Sequence, residues 1–182
     1  LWTSNLYAQT RYPKREFRGA WIQCVNGQFQ GMPTEKMKKV LVSQLDNLQK
    51  AGINAIIFQV RAEADALYKS PYEPWSRFLT GVQGKAPSPM WDPLQFMIEE
   101  CHKRNMELHA WINPYRAKTK GTGALSPMHP YSKNPELFVQ YAGQLYFDPG
   151  LPESRKYICK IVRDIVTRYD VDAIHMDDYF YP

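Results

Sequence analysis

The chain has no apolar run approaching the roughly 20 residues that a membrane-spanning helix needs, so no membrane span is expected within it. Cysteine is scarce. Cys24, Cys101 and Cys159 stand apart with no CxxC spacing, which argues against a zinc ribbon or a disulfide framework. They read as small buried hydrophobes, with a nucleophilic role for Cys24 as the alternative. No GxGxxG or GxxxxGK[ST] follows the first strand-like run, which removes the commonest reasons to expect a nucleotide-binding sheet. Charge of one sign never gathers either. The 23 Lys and Arg against 18 Asp and Glu give a net charge of +5, but the cations are spread along helix-like stretches such as Lys36, Lys38 and Lys39. That is the pattern of a solvated face, and no nucleic-acid partner is expected.

What is present is an ordinary globular composition, 44% hydrophobic and 23% charged. The 182 residues suffice for one domain with a sizeable core, yet fall below the ~250 typical of a complete eight-stranded barrel. From Phe17 onward a unit repeats: a short apolar run, a polar loop, then a longer amphipathic stretch. Phe17 to Val25 predicts a first strand. Thr34 is placed to cap a helix carrying Met37, Val40, Leu41, Leu45 and Leu48 at helical spacing, and Gly52 falls where that helix would end. Ile53 to Val60 reads as a strand buried on both faces. Asp92-Pro93 has the form of a cap and first turn for a helix with Leu94, Met97, Ile98 and Cys101 on its apolar side. Glu107 to Asn113 is the third strand. Pro152 opens a last helix with Ile158, Ile161, Val162, Ile165 and Val166 buried, and Val171 to Met176 is the fourth strand.

Strand and helix alternating four times imply parallel strands and an α/β class. With no nucleotide motif, the expected architecture is the N-terminal half, about four β/α units, of a TIM-type (β/α)8 barrel rather than an open doubly wound sheet. Residues 1–14 read as an export-signal remnant or a flexible leader, and 15–182 as the barrel half. Two long insertions, Ala62 to Trp91 and Pro114 to Gly150, exceed the usual loop of about 4–6 residues. Both leave from strand C-terminal ends, where barrel enzymes build active sites.

Strand alternation puts Ala173, His175 and Asp177 on one side of the fourth strand, Gln59 and Arg61 together on the second, and Trp111 and Asn113 together on the third. Asp177 is then expected to point into the barrel mouth, with Arg61 holding it ionised, either as a catalytic arrangement or as a structural ion pair. Aromatics crowd the same end: Tyr68, Tyr72, Trp75, Phe78, Trp91, Tyr115, Tyr179 and Tyr181. Flat faces of this kind suit sugar rings, and Asn113 and Arg116 offer hydroxyl partners. The alternative is that several simply anchor the long loops; Trp75 and Tyr115 are the preferred stacking platforms. His109, His175, Asp177 and Asp178 also admit a metal-cluster reading, which gains nothing from spacing, since no HExxH occurs.

The motifs Arg18-Gly19-Ala20-Trp21, Phe58-Gln59-Val60-Arg61 with Ala64-Asp65-Ala66-Leu67-Tyr68, Glu73-Pro74-Trp75-Ser76, Trp91-Asp92-Pro93-Leu94, His109 to Arg116 and Tyr169 to Pro182 follow one another in the order of a known family. The chain resembles the glycosyl hydrolase-like 10 family, also called DUF187 and often described as family 10 lipoproteins. The resemblance implies a barrel of glycoside-hydrolase type exported to the bacterial envelope, periplasmic or outer-membrane-associated, with a lipid anchor upstream as one route there. It implies a polysaccharide substrate, with peptidoglycan glycan strands indicated by some relatives, and no organic cofactor. Carried over by motif, Asp177 becomes the candidate nucleophile and Asp178 its neighbour or a hydroxyl ligand. Gln59, Arg61, Trp75, Asn113, Tyr115, Arg116, His175 and Tyr179 become candidate substrate contacts.

Glycoside hydrolysis normally uses two carboxyl groups, and the second is expected from strands beyond the fourth, so this chain alone is expected to be a poor catalyst. Exposed half-barrel edges are expected to favour self-association. The competing functions are a non-catalytic carbohydrate-binding module and a metal-dependent deacetylase or amidase.

Overall fold

The computed structural model describes residues 16–177. Four parallel strands form the main sheet: β1 (Gly19–Ile22), β2 (Ala55–Arg61), β3 (Glu107–Ile112) and, last in the chain, β7 (Ala173–Met176), in the spatial order β1-β2-β3-β7. Helix α1 (Thr34–Lys50) joins the first two. The short α2 (Arg77–Thr80) and α3 (Pro93–His102) lie between β2 and β3. The second insertion is more than a loop: it builds its own antiparallel sheet from β4 (Arg116–Lys118), β5 (Phe138–Tyr141) and β6 (Gln144–Phe147), ordered β4-β6-β5, with a turn of helix, α4 (Pro130–Lys133). Its strands are three or four residues long, too short to establish a period of two. Helix α5 (Pro152–Arg168) then leads into β7.

The register explains the layers. Ile22, Phe58, Ala110 and Ile174 stand side by side across the sheet and face the helices. There Met37, Leu41 and Leu45 of α1, Leu94, Met97 and Ile98 of α3, and Ile161 and Ile165 of α5 close the core. The opposite row, Trp21, Ile57, His109 and Ala173, followed by Gln59, Trp111 and His175, lines the other face of the sheet. All seven β2 residues are buried, as a central parallel strand requires.

The helix boundaries follow local chemistry with one correction. Asp92 caps α3 by accepting from Gln95 N at 3.1 Å, and Gly52 (φ 82°) takes the left-handed turn just past α1. Thr34, however, is the first helical residue of α1, not its cap. Pro33 occupies the cap position, and the Thr34 hydroxyl donates to Pro89 O at 3.4 Å. Two burial expectations also change on α5: Val166 is 52% exposed, and Cys159, unlike Cys24 and Cys101, lies on the surface.

Candidate active site at the strand ends

At the C-terminal ends of the four parallel strands, one polar residue from each strand or its first outgoing residues enters a single hydrogen-bonded line. Cys24, two residues past β1, gives its backbone N–H to Gln59 Oε1 at 3.1 Å. Gln59, in β2, donates from Nε2 to Asn113 Oδ1 at 2.7 Å. Asn113, the residue after β3, donates from Nδ2 to Asp177 Oδ1, also at 2.7 Å, and Asp177 is the residue after β7. Gln59 and Asn113 are 2% and 1% exposed, so these bonds lie in a low-dielectric setting where each is strengthened and a mismatch is costly.

Arg61 was expected beside Asp177 and is found elsewhere. Its guanidinium is wholly buried and forms a two-pronged pair with Glu73, Nη2 to Oε1 at 2.6 Å and Nε to Oε2 at 2.7 Å. The remaining nitrogen, Nη1, donates to Asn113 O at 2.6 Å and Pro114 O at 3.2 Å. The cause is a register shift between Gln59 and Arg61: Gln59 stands opposite Trp111, but Arg61 stands opposite Ile112, a helix-facing core residue. An extra residue of this kind re-aims the side chain that follows it, so strict alternation fails at Arg61. Burial alone would lower the Arg61 pKa, but Glu73 more than offsets it and the guanidinium is held above its ordinary value. Arg61 therefore clamps the turn that carries Asn113.

A second polar group stitches the two insertions together. Glu63 accepts from Arg77 Nε and Nη2 (3.0 and 3.2 Å) on one side and from the hydroxyls of Thr119 (2.5 Å) and Thr122 (2.8 Å) on the other. Burial pushes the Glu63 carboxyl up, but these donors outweigh it and hold it below the usual range. Asp65, also buried, accepts from Glu63 N at 3.3 Å and Gln83 Nε2 at 3.1 Å; burial and then repulsion from Glu63 push it up to about 6. His129 is buried with Nε2 against the carbonyls of Glu63 (3.0 Å) and Ala117 (3.1 Å), and Nδ1 accepts from Tyr131 N at 3.2 Å. Burial drives its pKa down, consistent with a neutral ring donating from Nε2. Glu63, Arg77, Thr119, Thr122 and His129 were not singled out from sequence, and Asp65 only as part of a family motif. They lie in aperiodic segments, and the one local signal that could have found them is the pair of carboxylates, Glu63 and Asp65, just after a buried strand.

The other expected site residues are placed as follows. His175 accepts from Trp21 Nε1 at 3.3 Å and meets the rings of Trp21 and Trp111 edge-on. His109 is engaged with Glu107 at 3.0 Å, and among the described residues no group of three or more His, Cys, Asp or Glu converges as a metal cluster. Trp75 is half-buried against the main core, and Arg116 opens β4 opposite Tyr146. Tyr68, Phe78 and Trp91 are core anchors. Tyr115 packs on the smaller core and borders a mostly apolar cleft of about 450 Å³ that Pro114, Ile158, Met176 and Asp177 also line. A smaller cavity of about 160 Å³, bordered by Thr34, Lys85 and Trp91, shares no residue with it. Asp178 and Tyr179 lie outside the described residues. Cys24 is no nucleophile: its thiol is fully buried, and burial, reinforced by Asp65, pushes its pKa well up, whereas a reactive cysteine needs thiolate character.

Known proteins resemble this chain in sequence and in fold. The chain is 49% identical over 174 residues to Glycosyl hydrolase YngK of Bacillus subtilis (strain 168), a match covering 92% of this chain and 34% of that protein. It is 34% identical over 195 residues to Glycosyl hydrolase DigH of Escherichia coli (strain K12), covering 96% of this chain and 44% of the relative. The chain thus spans about a third to under a half of these curated relatives. In fold it is similar to a maltogenic alpha-amylase, AmyB, from Thermotoga neapolitana (TM-score 0.58, 18% identity, 91% of this chain and 40% of that one). It is equally similar to alpha-L-fucosidase isoenzyme 2 from Paenibacillus thiaminolyticus (TM-score 0.58, 15% identity, 90% and 24%). Both are TIM-barrel glycosidases, and the parallel β/α units described above match part of such a barrel. The profile of the glycosyl hydrolase-like 10 family matches residues 16–182, and the chain belongs to that family.

Proposed function

We propose that this chain carries the Asp177 half of a glycoside hydrolase active site that cleaves O-glycosyl bonds of a polysaccharide, with peptidoglycan glycan strands as the favoured substrate and the bacterial envelope as the place of action. The observation that carries the reading is Asp177 itself: a carboxylate directly after the fourth parallel strand, oriented by a side chain from the end of the adjacent strand. Strand ends of this kind are where barrel enzymes hold their reacting groups. Asp177 serves as nucleophile or as the charge that stabilises an oxocarbenium-like transition state, and a second carboxyl group protonates the leaving oxygen. Tyr115, on the rim of the cleft beside Asp177, is the sugar-stacking platform. The unpaired outer edges of the sheet among the described residues support the further reading that the chain self-associates.

The test is Asp177→Asn, made in this chain and in a version extended to the length of the curated relatives, assayed on chromogenic aryl glycosides and purified peptidoglycan glycans. The extended protein is expected to turn over and the variant to lose at least on the order of 10²–10³-fold, the range for removing one group that stabilises transition-state charge, while glycan binding is unchanged. Binding with no turnover in any form favours a carbohydrate-binding module instead.

A further inference from the structure

The geometry points to a polarity relay that starts at the Cys24 backbone amide and ends at Asp177, in which Gln59 and Asn113 are positioning residues for the carboxylate and not sugar ligands. The inference deepens the function proposed above and rests on Asp177 being the reacting carboxylate.

A carboxamide carries a donor end and an acceptor end of nearly identical shape, so its orientation is set by its neighbours. A backbone N–H can only donate. Cys24 N therefore selects Oε1 of Gln59 (3.1 Å), which turns Nε2 toward Asn113. Asn113 must then present Oδ1 to Gln59 (2.7 Å) and Nδ2 to Asp177 Oδ1 (2.7 Å). Turning either amide over would set oxygen against oxygen or N–H against N–H in a buried site, at the cost of unmet hydrogen bonds. The order of the relay is the order of the strands, β1, β2, β3, β7, and each bond bridges one gap between neighbours. Asn113 is also fixed through its backbone: its N–H reaches Arg61 O at 2.8 Å, and its carbonyl accepts from the Arg61 guanidinium at 2.6 Å. The outcome at Asp177 is that Oδ1 must accept, which orients the carboxylate and leaves chemistry to Oδ2. Gln59 and Asn113, 2% and 1% exposed, present almost no surface to a sugar.

The experiment is NMR on the ¹³C,¹⁵N-labelled chain, reading scalar couplings across hydrogen bonds. Couplings from Gln59 Nε2 to the Asn113 carboxamide carbon and from Asn113 Nδ2 to the Asp177 carboxyl carbon are expected. Coupling in the opposite sense, from Asn113 Nδ2 to the Gln59 carboxamide carbon, overturns the relay. In Gln59→Leu the Asn113–Asp177 coupling is expected to fall and the three-bond couplings that report Asp177 χ1 to average, with the fold intact by circular dichroism; no change in either sinks the proposal. Should Gln59→Leu fail to fold, Gln59→Glu keeps the shape and offers Asn113 an acceptor. Asn113 is then expected to turn Nδ2 toward Glu at 59 and lose its coupling to Asp177, and an undisturbed coupling counts against the relay. In an extended protein that turns over an aryl glycoside, a positioning role predicts that Gln59→Leu lowers kcat by about 10–10²-fold with KM within about twofold. A rise in KM alone makes Gln59 a sugar contact. Intact couplings without any turnover would reject the hydrolase reading and leave the relay standing.

Discussion

Arg61 and Glu73 have no exposed side-chain surface, and they face each other as a buried ion pair at 2.6 Å. Glu73→Ala strands a buried guanidinium and is expected to cost about 3–5 kcal/mol in urea unfolding, the usual penalty for breaking a buried pair on one side. Replacing both, as Arg61→Met with Glu73→Leu, removes the stranded charge and is expected to cost clearly less. It should not be neutral here, because the carbonyls of Asn113 and Pro114 lose the Arg61 donor. A residue of about 1–3 kcal/mol is expected from those unmet acceptors. A single variant as stable as the unsubstituted chain contradicts the pairing.

The loops are the elements where pH should be felt. Asp65 is raised from 3.8 to about 6 in the folded chain, so folding favours its protonated form. Its contribution is fully present below about pH 4 and is lost as pH rises through 6, an effect on the order of 2–3 kcal/mol. Glu63, held low by Arg77, Thr119 and Thr122, acts in the opposite sense: its contribution is present above its ordinary range and lost as pH falls through its folded value. Asp65→Asn is therefore expected to raise stability at pH 7 relative to the unsubstituted chain and to flatten the profile between pH 4 and 6. Thermal melts across pH 4–8 read this directly, and identical profiles for the two proteins would reject it.

The β/α elements were legible in sequence because apolar periodicity and the Asp92-Pro93 and Gly52 boundary signals are local. Gln59, Asn113 and Asp177 were legible because alternation from well-marked strands carries them to one end of the sheet. Arg61 was placed wrongly because one register shift, invisible to a period-two reading, turns it inward. The Glu63 group was missed because the side chains that donate to Glu63 lie 14 to 59 residues from it, across two segments with no periodicity.

For the molecule as a whole, the sheet face away from the helices carries its largest apolar exposure at Trp21 (62%) and Phe17 (59%), and β1 and β7 are the outer strands among the described residues. The self-association proposed above would bury this face. Sedimentation equilibrium is expected to show concentration-dependent association of this chain, weakened in Phe17→Glu/Trp21→Glu; a monomer at all concentrations with a cooperative melt rejects the expectation.

The bond from Glu63 in the first insertion to Thr119 and Thr122 in the second makes the two segments a single inheritable part. Exchanging one insertion between relatives without the other would leave a buried carboxylate facing strangers. Variation in these two insertions is therefore expected to travel in pairs, and an engineer who wishes to reshape either must transplant both segments together.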